Sequence, residues 1–186
     1  TYAKCQFREN TMKLLSIAMF ISLLFMPTSG WATPMEDSSL RLKTLNNYQI
    51  NTPVMVSSGL PNRGHFEALK SNGVANVIDL LPGDRREEIS LVKEMGLNYK
   101  NIEVQWENPT LENVDDYVAA MQRFESEDGM TLTHCQLNWR GAVFTYLYRI
   151  TQLREAEHIA RQDMDAIWKA NEVWLKFIEE VKNKEL

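Results

Sequence analysis

The sequence predicts an α/β fold with a mainly parallel central sheet, flanking helices and a helical C-terminus. Short β-rich apolar runs alternate along the chain with segments of helical periodicity, and this alternation is typical of parallel sheets. From Gly141 to about Lys182 the pattern is helical throughout. A chain of 186 residues with 44% hydrophobic side chains is long enough for one globular domain with a substantial core.

Apolar runs bounded by turn residues indicate the strands. The clearest is VANVIDLL, which the turn pair Pro82-Gly83 ends, and its continuous apolar character is typical of a strand buried on both faces. The predicted strands are Val54–Ser57, Val74–Leu81, Tyr99–Val104 and Met130–His134.

Amphipathic segments with helix stop or start signals indicate the helices. Asn72 and Gly73 close the first, and Asn108-Pro109-Thr110 opens the third, which Gly129 ends. The predicted helices are His65–Ser71, Arg85–Met95, the segment from Asn108 towards Gly129, Gly141–Leu153, and one or two more up to about Lys182.

The N-terminal region has the composition of a secretory signal peptide. From Met12 a lysine precedes a short apolar run, a proline break and a small-residue end, so we predict a signal peptide over 12–32 that is cleaved after Ala32. Residues 1–11 are predicted to be upstream read-through, 33–46 a flexible lead-in, and 47–186 the folded domain. The prediction is a periplasmic or secreted protein with no stable membrane span after cleavage.

Composition restricts the possible partners. The net charge of −5 argues against a nucleic-acid binder. Signal cleavage removes Cys5, so Cys135 stands alone without an internal disulfide. His65 and His158 have no partner at metal-ligand spacing, and the sequence predicts no cofactor and no metal site. We expect a monomer.

The segment THCQLNWRGAVF lies where the strand ending at His134 meets the next helix. Backbone N–H groups and the dipole at a helix N-terminus bind anions, and Arg140 can hold two oxygens of one anion. The same field stabilises a thiolate, which is the nucleophilic form of cysteine. A free cysteine is often only a small buried apolar residue, but this placement predicts that Cys135 attacks phosphorus to form a cysteinyl-phosphate.

Three stretches together resemble the bacterial cysteine-dependent protein tyrosine and dual-specificity phosphatase family, near the phosphatase-like domains associated with β-lactamase-like hydrolases. They are VSSGLPNRGHFEALKSNGVANVIDLLP, IEVQWENPT and THCQLNWRGAVFTYLYR, within a resemblance that runs from Tyr48 to the C-terminus. The resemblance implies a dual-specificity-phosphatase-like fold, a nucleophilic Cys135, a transition-state-binding Arg140 and a His134 that tunes the thiolate. The substrate-binding positions that it implies are Gln136, Leu137, Asn138, Trp139 and Gly141.

The sequence departs from the family pattern around this loop. Four residues instead of five separate Cys135 from Arg140, the bulky Trp139 stands in a loop that lacks its usual glycine, and Gly141 replaces the hydroxyl residue that helps the thiolate leave. The family's general acid is an aspartate upstream of the cysteine strand, but QWENPT contains none. Glu107 is the nearest carboxylate and is our candidate acid, because the aspartates at 115 and 116 fall on the following helix.

These features support three hypotheses. The first is an exported phosphatase-like hydrolase of phosphate monoesters, with protein phosphotyrosine, nucleotide, sugar phosphate and lipid phosphate all open as the substrate class. The second is a rhodanese-like sulfurtransferase with a persulfide on Cys135, which the four-residue spacing also suits. The third is a catalytically weak phosphate-binding pseudophosphatase, which Gly141 and the missing aspartate favour.

Overall fold

The computed structural model describes residues 34–186, so the predicted signal peptide and upstream segment lie outside the described residues. A five-stranded sheet has the order β1-β2-β5-β3-β4. All neighbouring strands are parallel except the β1–β2 pair, which confirms the predicted mainly parallel sheet. The strands are β1 Gln49–Thr52, β2 Met55–Ser58, β3 Val74–Asp79, β4 Asn98–Asn101 and β5 Met130–His134.

Helices cover both faces of the sheet, as predicted. Successive side chains of a strand point to opposite faces of the sheet, and in β3 Val77 belongs to one apolar cluster and Ile78 to the other. The first cluster includes buried residues of α1, α2 and α3, and the second includes those of α4 to α7. The helices are α1 Pro34–Leu42, α2 Arg63–Ser71, α3 Arg86–Glu94, α4 Leu111–Glu125, α5 Trp139–Thr151, α6 Glu157–Ile167 and α7 Glu172–Glu185.

Two elements at the start of the domain were not predicted. Residues 33–46 were expected to be flexible, but α1 occupies 34–42, and Leu42 and Leu45 are buried in the cluster that also contains α2. Strand β1 forms an antiparallel hairpin with β2, and its Ile50 is exposed. Both elements depend on tertiary contacts, since neither has a strong apolar pattern of its own.

Element boundaries near the centre of the sheet also differ from prediction. The strand expected to reach Val104 ends at Asn101, and the following residues form an irregular segment. The helix predicted to begin at Gly141 begins at Trp139, which places Arg140 in its first turn. The start of α4 agrees with its sequence signal, because Thr110 accepts a hydrogen bond from the backbone N–H of Asn113, which bonds back to Thr110 N–H.

The topology places one central strand directly before the loop of interest. β5 lies between β2 and β3, and its carboxyl end leads into α5. In open α/β sheets ligands bind outside the carboxyl ends of the strands. Within residues 34–186, the helices are too short or too polar to cross a membrane.

Candidate active site

Cys135 is the first residue after β5, and strand pairing holds its backbone. Its N–H donates to the Ser58 carbonyl over 3.3 Å, which continues the pairing between β2 and β5 by one residue. The side chain is almost fully buried, with 1% exposure. The sulfur therefore sits at the base of the loop, where two neighbouring strands fix its position.

The loop after Cys135 is attached to the segments that precede β1 and follow β2. The N–H of Leu60 donates to Gln136 O over 3.2 Å, and the Asn47 amide donates to Leu137 O over 2.8 Å. Two loop carbonyls are thus engaged by donors from outside the loop. These bonds fix the curvature of the loop in the absence of its usual glycine.

Asn138 connects this loop to the hairpin of β1 and β2 and explains why position 141 is a glycine. It has a left-handed backbone conformation with φ of 64°, and its fully buried side chain donates from Nδ2 to Asn47 O over 2.8 Å and to Ser57 Oγ over 3.0 Å. A Cβ atom on Gly141 would lie 2.4 Å from Asn138 Oδ1. The side-chain amide of Asn138 therefore fills the space that a serine or threonine would need at position 141.

Arg140 is oriented by the irregular segment after β4. Its Nε donates to the backbone carbonyl of Val104 over 2.9 Å, and its guanidinium carbon lies 5.1 Å from the centre of the Trp106 ring. No carboxylate in the described part of the chain forms an ion pair with Arg140. A guanidinium so held keeps its terminal N–H groups for an anion.

Cys135 and Arg140 meet at a cavity of about 190 Å³. The other residues that line it are Trp106, Gln136, Leu137 and Trp139. Of the residues predicted for the site, the structure thus brings these two together with Gln136, Leu137 and Trp139. Asn138 and Gly141 are buried supports of the loop and do not line the cavity.

Four tryptophans form a cluster beside the cavity. The rings of Trp139 and Trp168 stack with centres 5.1 Å apart at 9°, and Trp168 Nε1 donates to Trp139 O over 3.0 Å. Trp106 lies 5.2 to 5.7 Å from the rings of Trp139, Trp168 and Trp174. Trp174 and Phe177 are buried and dock the last helix on the core. The role of Trp106 in the cavity wall was missed, although it directly precedes the candidate acid.

Glu107 does not line the cavity. It is exposed in a tight turn, in which Asn108 N–H donates to Gln105 O over 3.3 Å. Asp115 pairs with Lys184 at 2.7 Å, and its neighbour in α4 is also exposed. The acid role of Glu107 stays a prediction.

His134 faces away from the cavity into a buried charged cluster. Its Nε2 lies 2.9 Å from Glu88 Oε1 and 3.9 Å from Asp79 Oδ1, without hydrogen-bond geometry to either. Arg85 donates to both carboxylates, and Tyr99 donates its hydroxyl to Asp79 over 2.7 Å. Burial, together with the Asp79 charge, raises the pKa of Tyr99 well above its usual range. Arg85 therefore turns inward at the start of α3, whereas the neighbouring Arg86 is exposed.

Comparison with solved structures places this arrangement among phosphatase folds. A protein from Shewanella putrefaciens CN-32 described as "Putative phosphatase (DUF442)" is 32% identical, with a TM-score of 0.68 over 78% of this chain and 97% of that chain. The core catalytic domain of the PP-IP phosphatase SIW14 from S. cerevisiae is 16% identical, with a TM-score of 0.62 over 75% and 91% of the two chains.

A cysteine-to-serine variant of P. aeruginosa TpbA in complex with pTyr is 19% identical, with a TM-score of 0.62 over 85% of this chain and 95% of that one. At these lower identities the likeness to SIW14 and TpbA concerns the fold. No protein-family model and no curated protein matches the chain.

Proposed function

The chain belongs to the cysteine-dependent protein tyrosine and dual-specificity phosphatase-like family, and from this premise we propose that it hydrolyses phosphate monoesters through a cysteinyl-phosphate on Cys135. The observation that carries the proposal is the shared cavity. A nucleophile at the end of β5 and a guanidinium with no carboxylate partner among residues 34–186 border the same space of about 190 Å³. That pairing suits a tetrahedral oxyanion.

The reaction has two displacements. In the first, the Cys135 thiolate attacks phosphorus, the S–P bond forms, and the ester P–O bond breaks. Arg140 and the loop N–H groups hold the equatorial oxygens while the leaving oxygen takes a proton from a general acid. In the second, water attacks phosphorus and gives a proton to the deprotonated acid, which is thereby restored. The S–P bond breaks, and the thiolate is regenerated as inorganic phosphate leaves.

Glu107 is the proposed acid, because it is the carboxylate nearest in sequence to the anchored Trp106. Its side chain must move from its exposed position to reach a leaving group in the cavity. Catalytic contacts of this kind often tighten only when substrate binds.

The lining of the cavity supports aryl monophosphates as the substrate class. Two tryptophans form its wall, and Arg140 is the one cation among the six lining residues. A ligand with several phosphates would need more cations than this cavity offers. We expect phenyl phosphate to be hydrolysed with a higher kcat/KM than glycerol phosphate, and inositol hexakisphosphate to be a poor substrate.

The test uses purified residues 33–186, which lie within one compact unit. Phosphate release from an aryl phosphate is measured with reductant, with and without chelator, for wild type, Cys135→Ser and Glu107→Gln. The matched control is Glu103→Gln, an exposed carboxylate in the same irregular segment. The proposal requires turnover that survives chelator, disappears in Cys135→Ser, and falls about 100-fold or more in Glu107→Gln but not in Glu103→Gln.

A phosphate-binding pseudophosphatase is the second candidate. It is favoured by one observation, which is that none of the six residues lining the cavity is a carboxylate. Oxyanion binding by reduced wild type without turnover of any aryl phosphate would select this function. Transfer of sulfur from thiosulfate to cyanide, lost in Cys135→Ser, would instead select the sulfurtransferase.

Export to the periplasm or exterior is part of the proposal and is supported by the signal-peptide pattern over 12–32. Cell fractionation followed by N-terminal sequencing tests it. The expected mature N-terminus is Thr33. Recovery of the uncleaved chain in the cytosol would contradict it.

A further inference from the structure

The buried cluster behind the nucleophile contains the ligand types of a metal site on three separate elements. Asp79 ends β3, Glu88 lies in α3 and His134 ends β5. Their side chains are 0%, 9% and 0% exposed. One oxygen of each carboxylate and one ring nitrogen of the imidazole all lie within 4.8 Å of one another. We propose that these three side chains bind a divalent transition-metal ion of the zinc class.

The distances fit such an ion after small side-chain movements. Zinc binds imidazole nitrogen and carboxylate oxygen at about 2.0–2.2 Å, so that ligand atoms around a tetrahedral ion are about 3.3–3.6 Å apart. The Nε2 atom of His134 lies 2.9 Å from Glu88 Oε1 and 3.9 Å from Asp79 Oδ1, on either side of this range. Three protein ligands leave a fourth position for water.

Unpartnered buried atoms are an independent indication of a ligand. Both ring nitrogens of His134 and Oε1 of Glu88 are buried without a hydrogen-bond partner among the described residues. Such atoms are rare in folded proteins and call for an explanation such as a missing ion. The unpartnered oxygen of Glu88 is the one that approaches the imidazole.

Arg85 and Tyr99 act as an outer shell for the two carboxylates. Arg85 donates from Nε to Asp79 Oδ2 and from Nη2 to Glu88 Oε2, each over 2.5 Å, and Tyr99 donates to the same oxygen of Asp79. The carboxylate oxygens opposite these donors, Oδ1 and Oε1, are those that face His134. Outer-shell bonds of this kind orient ligating side chains.

Charge and access also favour a cation. Two carboxylates and one guanidinium give the cluster a formal charge of −1 when the imidazole is neutral. A cavity of about 390 Å³ reaches Glu88 from outside, and Asp84 and Glu87 are exposed on its lining. An imidazole with two carboxylates suits zinc, copper or nickel better than calcium or magnesium, which prefer all-oxygen sites.

A proton shared between His134 and Glu88 is the competing explanation for the short approach of their side chains, and the experiment separates the two. Residues 33–186 are used with the cysteine at position 135 replaced by serine, Cys135→Ser, because a thiolate is itself a zinc ligand. Zn²⁺ binding is measured by calorimetry, and tetrahedral coordination by the visible absorption of bound Co²⁺. We expect one equivalent of Zn²⁺ to bind.

Glu88→Gln should weaken binding about tenfold or more, whereas Glu87→Gln, which changes the exposed neighbouring carboxylate, should leave it within about twofold. A second measurement needs no change in the cluster. The chain has three histidines, so the imidazole NMR signals can be assigned, and Zn²⁺ should perturb those of His134 but not those of His65 or His158. Absence of binding at 100 µM Zn²⁺, equal affinity in Glu88→Gln, or unchanged His134 signals would each overturn the proposal.

Discussion

The family pattern and the packing of this protein make opposite predictions for a side chain at position 141. The family places a serine or threonine there to help the thiolate leave, so the pattern alone predicts that Gly141→Ser speeds turnover. The structure predicts the reverse. A Cβ at this position would lie 2.4 Å from Asn138 Oδ1, far inside van der Waals contact.

The magnitude follows from how Asn138 is held. Its side chain is fully buried and donates two hydrogen bonds, to Asn47 O and Ser57 Oγ. Forcing extra volume into a packed site costs about 1–3 kcal/mol. Rotating the amide away instead would break two hydrogen bonds worth about 0.5–1.5 kcal/mol each. Replacing a helical glycine returns about 0.5–1 kcal/mol, so the net loss of unfolding free energy should be about 0.5–2 kcal/mol.

The assay is urea denaturation of wild type, Gly141→Ala and Gly141→Ser, with steady-state kinetics on an aryl phosphate. Both variants should lose similar stability, because the Cβ is the cause, and kcat should fall in both as the loop shifts. Asn138→Gly is the matched control, since glycine accepts the φ of 64° and removes the clashing oxygen. In that background Gly141→Ala should cost at least about 1 kcal/mol less.

The reasoning would be refuted by additive effects in this double-mutant cycle or by a Gly141→Ala protein as stable as wild type. Faster turnover in Gly141→Ser at unchanged stability would show that the hydroxyl outweighs the packing.

Three further changes test other contacts. Arg140→Lys cannot both donate to Val104 O and hold two oxygens of an anion, so kcat/KM should fall about 100- to 1,000-fold, measured by steady-state kinetics, with an unchanged melting temperature. Trp106→Leu removes the ring that contacts the Arg140 guanidinium. Because a cation–π contact is worth about 0.5–1 kcal/mol, kcat/KM should fall about 2- to 5-fold. A larger fall in Trp106→Phe, which keeps an aromatic ring, would contradict this. The hydrogen bond from Arg149 lowers the pKa of Glu155 in the folded protein. The stability that this ion pair contributes is therefore present above the usual pKa of glutamate and is lost as the pH falls through the folded-state pKa. The urea midpoint of wild type should drop more between pH 5 and pH 3 than that of Glu155→Gln.

The sequence predicted the parts of the fold that have strong local patterns. VANVIDLL became β3 because an uninterrupted apolar run suits a strand buried on both faces. Helix α1 was missed because its segment is polar, and the buried residues that hold it and the following turn on the core, Ser38, Leu42 and Leu45, form no strong apolar pattern. β1 was missed for the same reason, since the hairpin contact with β2 and not its own alternation defines it.

The residues of the candidate site also divide into those that a local pattern predicts and those that only the fold brings together. Cys135 and Arg140 were predictable because both lie in one short loop with a recognisable spacing. Val104 and Trp106, the partners of Arg140, lie 36 and 34 residues before it in the chain, and only the sheet brings them to the loop. The approach of Glu88 to His134 could not be predicted from the sequence either, because it forms only when helix α3 packs near the end of β5.

The packing of Trp106 limits how the candidate acid can work. Three tryptophan rings and the Arg140 guanidinium surround this side chain, while the adjacent Glu107 is exposed in the turn closed between Gln105 and Asn108. Swinging the whole segment over the cavity would separate these rings and remove the platform under Arg140. An acid role for Glu107 therefore requires its side chain and the turn to move while Trp106 stays in place, because the ring that anchors the segment also supports the arginine that binds phosphate.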